Sequence, residues 1–459
     1  MSQAARDTIA AMRAAVPPGQ ARLGGEARRL LAEATRALLA SHTDPGVEHQ
    51  RFLEIRHRQL CLPADDLAAW LCGTRILVTG GTGCIGSTLT GVLAGLGPAR
   101  LVSLSRGQTT AWPRHPGVDY RHVDIRDRCA LDRLLTDLRP DVVFHLAAQR
   151  DPGLAETEVH RTVTTNVLGT RNVLAASVQA SVPQVVCAST GKALRPYSPD
   201  VYTASKRAAE WLAAATAGRH GLRVAAARFT HVVDNSLIYL RLLNWARRGV
   251  IRLHAPEISF YAQSALESAH LLLVAGLASQ AGRFRVHAIT DLGWPISLLD
   301  LALDVLAQAG SDTPIYFCGY GSGYEETPFP GLYDPATAGQ VSPLINALEA
   351  SQASASACPM VDAVPVGMTA APGAAALLTG LADTCARTQE PAEVRGRLDE
   401  LSWCLLHATL AAAPAPVLAR MAAQVTPHRD GLSGAHHRVL EAISQSTWAA
   451  APGLVPPGR

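Results

Sequence analysis

The stretch "RILVTGGTGCIGSTL", residues 75–89, decides the fold of this chain. An apolar strand leads into a turn with spaced glycines, and the sequence then continues as a helix. Glycine lets such a turn reverse sharply and lets backbone N–H groups approach a pyrophosphate at the positive end of the helix. The stretch predicts a dinucleotide-binding turn, in which we expect cofactor contacts from Gly80, Thr82, Gly83, Cys84, Ile85 and Gly86.

From residue 74 to about residue 317, apolar strands alternate with amphipathic helices. This alternation is typical of a parallel sheet that is covered by helices on both faces. It predicts an α/β fold, a Rossmann-like doubly wound parallel sheet with a small substrate lobe, flanked by helical N- and C-terminal extensions. The strands that we predict are residues 75–79, 100–105, 142–146, 184–188 and 223–228.

The length of 459 residues indicates more than one domain. Residues 1–72 form the first predicted part, a helical extension, because apolar residues recur at helical spacing within 26–42 and residues 63–71 begin like a capped helix. Residues 73–334 form the nucleotide-binding core, with the substrate lobe at about 232–334. Residues 335–459 are rich in Ala and Pro and form a mainly helical C-terminal extension.

The composition excludes several classes of protein. With 48% hydrophobic and 17% charged residues the chain is globular, and a net charge of +3 without a basic run does not favour a nucleic-acid partner. The nine scattered cysteines form no Cys-x-x-Cys pair, so we expect free thiols and no metal site. No apolar run approaches the length of a bilayer span, and we therefore expect a soluble, cytoplasmic protein without a membrane partner.

The end of the second predicted strand bears on the choice of dinucleotide. An NAD site usually offers a carboxylate to the ribose there, whereas this chain has "LVSLSRG", with Ser105 and Arg106. A hydroxyl and a guanidinium suit a 2′-phosphate. These residues favour NADP(H) over NAD(H), and the alternative is that Arg106 only caps a strand end on the surface.

Tyr202 and Lys206 form a Tyr-x-x-x-Lys pair in "YTASK", which places both side chains on one helix face. Free tyrosine has a pKa of about 10, so a tyrosine base working near pH 7 needs about 4 kcal/mol of help, which a nearby ammonium and an oxidised nicotinamide could supply. Among 41 basic residues only Lys192 and Lys206 are lysines, which favours a need for an ammonium over a helix-surface pair. At the end of the preceding strand, the hydroxyl of Ser189 or Thr190 could hold a substrate oxygen.

Residues from about 73 to 326 resemble the extended short-chain dehydrogenase/reductase superfamily. Within it, they are most similar to the polysaccharide-biosynthesis branch of UDP-sugar 4,6-dehydratases and epimerases. The matching pieces are "TGGTGCIG", "LSRG", "VDIRD", "VVFHLAAQR", "TNVLGTRNVL", "STGKA", "YTASK" and "APEISFYAQSALESAHLLL".

The resemblance implies a role for each matching residue. Thr190, Tyr202 and Lys206 would be the catalytic triad, and Asn166 would support the active-site water and helix geometry. Arg228, Phe229 and Thr230 would lie near the nicotinamide. Asp124 and Ile125 would flank the adenine, and Ala147, Ala148 and Gln149 would line the cofactor.

The chain departs from the family pattern in three places. The dehydratases have Thr-Asp-Lys where this chain has Thr190, Gly191 and Lys192, so the acid that helps to expel a hydroxyl is missing. Lys192 could replace that acid, polarise a keto oxygen or bind a substrate hydroxyl. The interval from Thr190 to Tyr202 is longer than the family pattern. In "GYGSGYEETP", residues 319–328, Glu325 and Glu326 stand where the branch has basic residues.

These features predict an NADP(H)-dependent oxidoreductase acting on a sugar carbinol or ketone, as a keto-sugar reductase or an epimerase. Glu325 and Glu326 are either a solvated acidic loop or substrate contacts for an amino sugar of a natural-product pathway. One alternative is a nucleotide-sugar 4,6-dehydratase or 5-epimerase with an altered acid, and another is a non-catalytic NADP-binding sensor or scaffold. We expect a sugar or nucleotide-sugar substrate and a homodimer.

Overall fold

The computed structural model describes residues 2–107, 111–321, 329–368 and 370–450, except for the side chains of 447–450. Its strands, numbered along the chain, are β1 (Arg75–Thr79), β2 (Arg100–Ser105), β3 (Val118–His122), β4 (Val142–His145), β5 (Gln184–Thr190), β6 (Arg223–Phe229), β7 (His231–Val232), β8 (Ile251–Leu253), β9 (Ser259–Phe260), β10 (Ala262–Gln263), β11 (Arg285–Ile289), β12 (Ile296–Ser297), β13 (Ile315–Phe317), β14 (Ser354–Ala355) and β15 (Val361–Pro365).

Helices account for most of the other described residues. They are α1 (Gln3–Ala15), α2 (Gly25–Ser41), α3 (Val47–Glu54), α4 (Ala64–Leu71), α5 (Cys84–Gly95), α6 (Arg128–Leu138), α7 (Pro152–Thr157), α8 (Val159–Val163), α9 (Thr170–Gln179), α10 (Val201–His220), α11 (Leu237–Arg247), α12 (Ala265–Leu277), α13 (Leu298–Gln308), α14 (Ala347–Ala350), α15 (Ala374–Arg387), α16 (Pro391–Ala412), α17 (Ala415–Val425) and α18 (Gly434–Ala450).

The largest sheet has nine strands in the order β14-β15-β11-β6-β5-β4-β1-β2-β3. The strands from β3 to β11 are parallel, and the order β3-β2-β1-β4-β5-β6 is that of a dinucleotide-binding doubly wound sheet. This confirms the predicted fold class. The bounds of β1 and β2 agree with the sequence prediction, and the ends of β4, β5 and β6 differ from it by one or two residues.

The central strands are buried on both faces because helices cover the sheet on each side. Every residue of β4 is buried, and Ile76, Leu77 and Val78 of β1 are inaccessible to solvent. Near-continuous apolar runs are typical of parallel strands in this environment. The same runs are the reason why the sequence predicted these strands well.

The C-terminal part of the chain adds two strands that the sequence analysis did not predict. Strand β15 pairs antiparallel with β11, and β14 pairs antiparallel with β15. The rest of this part is mainly helical, from α14 to α18, as expected. The region beyond residue 334 therefore contributes to the same sheet that carries the glycine-rich turn.

Contacts group the chain into two compact units, each built from stretches that are separate in sequence. The first unit comprises Met1–Arg58, Thr230–Ala265 and Leu292–Glu326, and the second comprises Gln59–Phe229, Leu266–Asp291 and Thr327–Arg459. Composition changes along the sequence mark consecutive segments, whereas packing joins segments that are far apart in the chain. The N-terminal helices α1–α3 thus share a unit with two parts of the predicted substrate lobe, whereas Leu266–Asp291 belongs to the second unit.

The first unit is held together around α13. Its apolar residues pack with those of α1–α3 and β13 in one buried cluster. The carboxylate of Asp304, fully buried on α13, accepts the backbone N–H groups of Gly46 and His49 at 2.7 and 2.9 Å and contacts His42 Nε2 at 2.8 Å. These bonds fix the connection between α2 and α3, which explains why a charged side chain is tolerated in this core.

Membrane-spanning potential is low in the described residues. No single helix there combines the length and the apolar composition that crossing a bilayer requires, and one pair, Pro391–Ala412 with Ala415–Gly431, meets both criteria only jointly and with a 119° bend.

Candidate active site

The glycine-rich turn lies where β1 and β4 end side by side. Gly80 has φ of 74°, and a Cβ at this residue would lie 2.8 Å from the backbone N of Ala147, which follows β4. A Cβ at Gly86 would lie 2.2 Å from the carbonyl O of Gly80. Because no side chain fits at either residue, backbone from the turn, the helix and the neighbouring strand end meets closely here, as binding of a pyrophosphate requires.

Helix α5 begins at this turn with Gly83 as its N-cap, and no side chain caps it. The first N–H groups of a helix have no acceptor within the helix, so they are available for an anion. Thr82 and Cys84 are buried and Ile85 is half-buried, which leaves backbone as the main surface of the turn. The turn therefore fits the predicted dinucleotide.

Arg106 follows the end of β2 and its side chain is exposed. Within the described part of the chain it makes no hydrogen bond and no ion pair. Partial burial and the nearby Arg161 lower the pKa of Arg106, while Asp124 raises it. Ser105 accepts the backbone N–H of Gly107 at 3.3 Å. An exposed guanidinium without a hydrogen-bond partner among the described residues fits an anionic ligand.

Asp124 and Ile125 follow β3. The Asp124 carboxylate binds Arg126 through Nη2 at 2.6 Å and through the backbone N–H at 2.9 Å. Burial raises the pKa of this carboxyl, but the hydrogen bonds and charge of Arg126 lower it by more, so the pKa of Asp124 lies below its ordinary value. Ile125 is buried, and its side chain lies so close to Gly169 that a Cβ there would be 2.6 Å away. Asp124 is therefore ionised, and part of its hydrogen-bonding capacity is taken up by Arg126.

Asn166 holds the segment that follows β4. It lies in a π-helical segment, Thr164–Gly169, a distortion that is frequent at functional sites. Its Oδ1 accepts the N–H of Gln149 at 2.7 Å, and its Nδ2 donates to Gln149 O at 3.1 Å and to Ser205 Oγ at 3.0 Å. Asn166 thus joins the segment of residues 147–149 to α10, the helix that carries Tyr202.

His145, at the end of β4, was not predicted as part of the site. Its ring contacts Thr79 Oγ1 at 2.8 Å and Thr170 Oγ1 at 2.9 Å. Because Thr170 donates its own proton to Asn166 O at 2.7 Å, the ring must be the donor to Thr170 and the acceptor from Thr79. Burial, with a smaller effect of Lys206, lowers the pKa of His145 to about 3, so this neutral ring is a structural link between β1, β4 and Asn166.

Helix α10 presents the Tyr-x-x-x-Lys pair. The helix begins at Val201 because Asp200 Oδ1 accepts the N–H of Thr203 at 2.7 Å. The Tyr202 phenol in its first turn lies close enough to the side chain of Thr190, at the end of β5, for that side chain to affect its pKa. The structure thus brings Thr190 and Tyr202 together although eleven residues separate them.

Lys206 lies one turn further along α10 and is buried. Its Nζ donates to the carbonyl O of Ala188 at 2.8 Å, and burial lowers its pKa. In the chain by itself the pKa of Tyr202 is not lowered as we expected: burial, with Asp200, raises it to about 12 against the opposing effect of Thr190 and Arg150. The phenol is therefore protonated at neutral pH.

Ser189 does not share the role of Thr190. Its hydroxyl donates to Glu210 Oε1 at 2.6 Å. Glu210 also pairs with Arg228 at 2.9 Å, and Arg228 pairs with Glu349 at 2.7 Å, all with side chains that are at most 5% exposed. Burial opposes the charge of Arg228, but the two carboxylates raise its pKa above the ordinary value. Arg228 thus forms a buried ion-pair cluster with Glu210 and Glu349. The sequence did not indicate this cluster because Glu349 is distant from the other two residues in the chain.

The residues after Thr190 form a short 3-10 turn, Gly191–Leu194. Lys192 is half-buried there, and its N–H donates to Thr190 Oγ1 at 3.3 Å. A Cβ at Gly191 would lie 2.7 Å from Leu344 Cδ2. The space beside Gly191, where the dehydratase pattern has an acid, is therefore occupied by a leucine from the C-terminal part.

The remaining predicted residues are placed as follows. Phe229 ends β6 and is buried. Thr230 belongs to the first unit, where its N–H donates to Gln263 Oε1 at 3.0 Å and its hydroxyl donates to Tyr261 O at 2.6 Å. Glu325 and Glu326, the predicted substrate residues, lie outside the described residues.

Comparison with curated proteins shows partial matches. The chain is 28% identical over 275 residues to the capsular polysaccharide biosynthesis protein CapD of Staphylococcus aureus, a match that covers 56% of this chain and 45% of that protein. It is 32% identical over 169 residues to a UDP-N-acetylglucosamine 4,6-dehydratase (inverting) of Campylobacter jejuni, covering 35% of this chain and 49% of that protein. The chain spans about half the length of these curated relatives.

A solved structure and a family model complete the comparison. The X-ray structure of Pen from Bacillus thuringiensis superposes with a TM-score of 0.53 at 20% identity, over 64% of this chain and 90% of that chain, and supports the fold. Residues 76–326 match the family model described as polysaccharide biosynthesis protein. Since this match covers more than half of the chain, and the predicted resemblance is confirmed, the protein belongs to the polysaccharide biosynthesis protein family within the extended short-chain dehydrogenase/reductase type.

Proposed function

We propose that this protein is an NADP(H)-dependent oxidoreductase that exchanges hydride with a sugar carbinol or ketone. The observation that carries the proposal is the proximity of the Tyr202 phenol to the side chain of Thr190, which ends β5 in the same parallel sheet that carries the glycine-rich turn. The dinucleotide, when bound, supplies or accepts the hydride at C4 of its nicotinamide ring. Tyr202 exchanges the proton with the substrate oxygen, and Thr190 orients that oxygen.

The protonation state of Tyr202 suits the reductive step. With its pKa at about 12 in the chain by itself, the phenol is a proton donor at neutral pH. A donor assists reduction of a ketone, in which the carbonyl oxygen gains a proton as the carbon gains hydride. Lys206, held on Ala188 O, places its ammonium beside the cleft, where it would bind the ribose and lower the pKa of Tyr202.

The packing at Gly191 favours a reductase or an epimerase over a 4,6-dehydratase. Dehydration needs a general acid for the departing hydroxyl, and Gly191 has no proton to give. Leu344 fills the adjacent space, so a side chain from residue 191 could not be accommodated without a shift of that leucine. Dehydratase or 5-epimerase activity with Lys192 as an altered acid is the alternative.

The substrate class is proposed from the family. The relatives named above include an enzyme for UDP-N-acetylglucosamine, which suggests a sugar or nucleotide sugar here as well. We further propose that Glu325 and Glu326 contact an amino sugar, that the protein acts in the cytoplasm, and that it forms a homodimer.

A panel assay tests the proposal. The protein is incubated with NADPH and keto-sugars, nucleotide-linked and free, and the absorbance of the reduced nicotinamide is followed. Net consumption of NADPH indicates a reductase, whereas product without consumption indicates an epimerase or a dehydratase. Binding of NADPH without product from any sugar would contradict the proposal and would instead support a non-catalytic NADP-binding protein.

The NADP(H) preference depends on Arg106, and its removal should reverse that preference. We expect Arg106→Ala to weaken NADPH binding by about 10- to 100-fold, because a charged hydrogen bond contributes about 1.5 to 3 kcal/mol. NADH binding should stay within about twofold, since NADH has no 2′-phosphate. Titration calorimetry measures both affinities. Arg100→Ala, at the opposite end of β2, is the matched control, and an unchanged NADPH/NADH ratio in Arg106→Ala would refute the role.

A further inference from the structure

A segment of the C-terminal part, residues 342–349, contacts the turn between β5 and α10 at two places and the neighbouring strand β6 at a third. We call this stretch the clamp segment. The first contact is Leu344, which is 5% exposed and whose Cδ2 would lie 2.7 Å from a Cβ at Gly191. Leu344 therefore packs directly on the residue between Thr190 and Lys192.

The second contact is a hydrogen bond from Asn346. Its Nδ2 donates to the carbonyl O of Leu194 at 2.5 Å, and its Oδ1 accepts the N–H of Glu349 at 3.0 Å. Asn346 is fully buried, so both bonds are shielded from water. This residue fixes the end of the turn that follows Lys192.

The third contact passes through Arg228. Its guanidinium binds Glu349 at 2.7 Å and the carbonyl O of Leu344 at 3.0 Å, and on its other side it pairs with Glu210, which accepts the hydroxyl of Ser189. The residue before Thr190 is thereby linked to the clamp segment through buried charges.

The clamp segment is itself anchored on the sheet. The N–H of Ser342 donates to Asp362 Oδ2 at 2.8 Å, and Asp362 lies in β15, which pairs with β11. The segment is therefore attached to the same sheet that carries β5. Movement of the turn relative to the sheet would break the contacts of the clamp segment with Gly191 and Leu194.

We propose that the clamp segment is a positioning element that holds Thr190 and Lys192 for the reaction. It meets Gly191 and Leu194 directly and is linked to Ser189 through Arg228 and Glu210, so both functional side chains lie between fixed residues. A site works only when its supporting contacts hold the reacting groups within a fraction of an ångström. The consequence for turnover rests on the proposed function, whereas the contacts themselves do not.

Leu344→Ala tests the clamp. We expect kcat to fall by about 10- to 100-fold, because displacement of a supporting group of about 1 Å has this effect, while the Kd for NADPH stays within about twofold. Backbone amides of Lys192 and Arg195, which close the turn, should exchange hydrogen at least about tenfold faster. Leu344→Met, which conserves the side-chain volume, should keep kcat and the amide exchange rates near those of the wild-type protein. Leu381→Ala, in a buried part of α15, is the matched control and should change neither.

A double-mutant cycle tests the contact itself. Gly191→Ala alone introduces a Cβ against Leu344 and should lower kcat and speed up amide exchange at Lys192. In the Leu344→Ala background, the same Cβ fills space that the leucine has left. The double variant should therefore have a higher kcat and slower amide exchange at Lys192 than the sum of the two single effects predicts. It should also exceed Leu344→Ala alone in both respects.

Two results would overturn the proposal. One is a double-mutant cycle in which the effects of Gly191→Ala and Leu344→Ala simply add. The other is a Leu344→Ala protein that loses thermal stability, as Leu381→Ala does, but keeps wild-type kcat and wild-type exchange at Lys192 and Arg195. If the wild-type protein turns over no sugar, the proposed function fails, and the exchange measurements still decide whether the clamp segment holds the turn.

Discussion

Tyr202→Phe should bind NADPH as the wild-type protein does and should lose turnover by about 10²- to 10⁴-fold, the usual contribution of a positioned proton donor. The phenylalanine keeps the ring in the first turn of α10 and removes only the hydroxyl, which lies near the side chain of Thr190. Steady-state kinetics with the sugar identified in the panel assay measure kcat, and fluorescence titration measures NADPH binding. The loss should appear in kcat, because the proton is transferred in the transition state.

The control for this variant is Tyr316→Phe in the first unit. Tyr316 is a fully buried tyrosine whose hydroxyl donates to Pro17 O at 2.8 Å and accepts the N–H of Gln20 at 2.9 Å, so its loss tests whether removal of a buried tyrosine hydroxyl is by itself enough to stop turnover. Tyr316→Phe should keep wild-type turnover. Equal activity of Tyr202→Phe and the wild-type protein would end the enzymatic interpretation of the Tyr-x-x-x-Lys pair.

The elements that the sequence predicted best are those governed by local pattern. Strands β1 and β2 are apolar runs beside glycine-rich turns, so their bounds follow from the sequence. Strand β3 was missed because "VDYRH" is polar and only partly buried at the edge of the parallel strands. Strand β15 was missed because it lies in an Ala- and Pro-rich region and is stabilised by pairing with β11, more than seventy residues earlier.

The site was predictable only as far as its residues are close in sequence or belong to a motif. The spacing of Tyr202 and Lys206 predicted both on one helix, and in the structure both are in α10, with Thr190 at the end of β5 near Tyr202. The pKa of Tyr202 was not predictable, since it depends on burial. Neither was the packing of Leu344 on Gly191, because no pattern relates residues so far apart.

Arg228→Met should lower the free energy of unfolding by about 3 to 5 kcal/mol, the usual effect of removing one partner from a buried ion pair. The substitution leaves the carboxylates of Glu210 and Glu349 without their shared cation, at exposures of 1% and 5%. Urea unfolding followed by circular dichroism measures the change. Arg75→Met is the matched control, because Arg75 pairs with Asp141 at a half-exposed strand end, and its loss should amount to about 1 kcal/mol or less.

Two further variants separate charge from shape in this cluster. Glu349→Gln keeps a hydrogen-bonding group opposite Arg228 and should lose less stability than Arg228→Met. Replacing Glu210, Arg228 and Glu349 together by methionine removes all the buried charges, so the triple variant should be more stable than Arg228→Met alone. If the triple variant is instead the least stable, desolvated charge is not the cause of the loss, and the cluster stabilises the protein by hydrogen-bond geometry that methionine cannot reproduce.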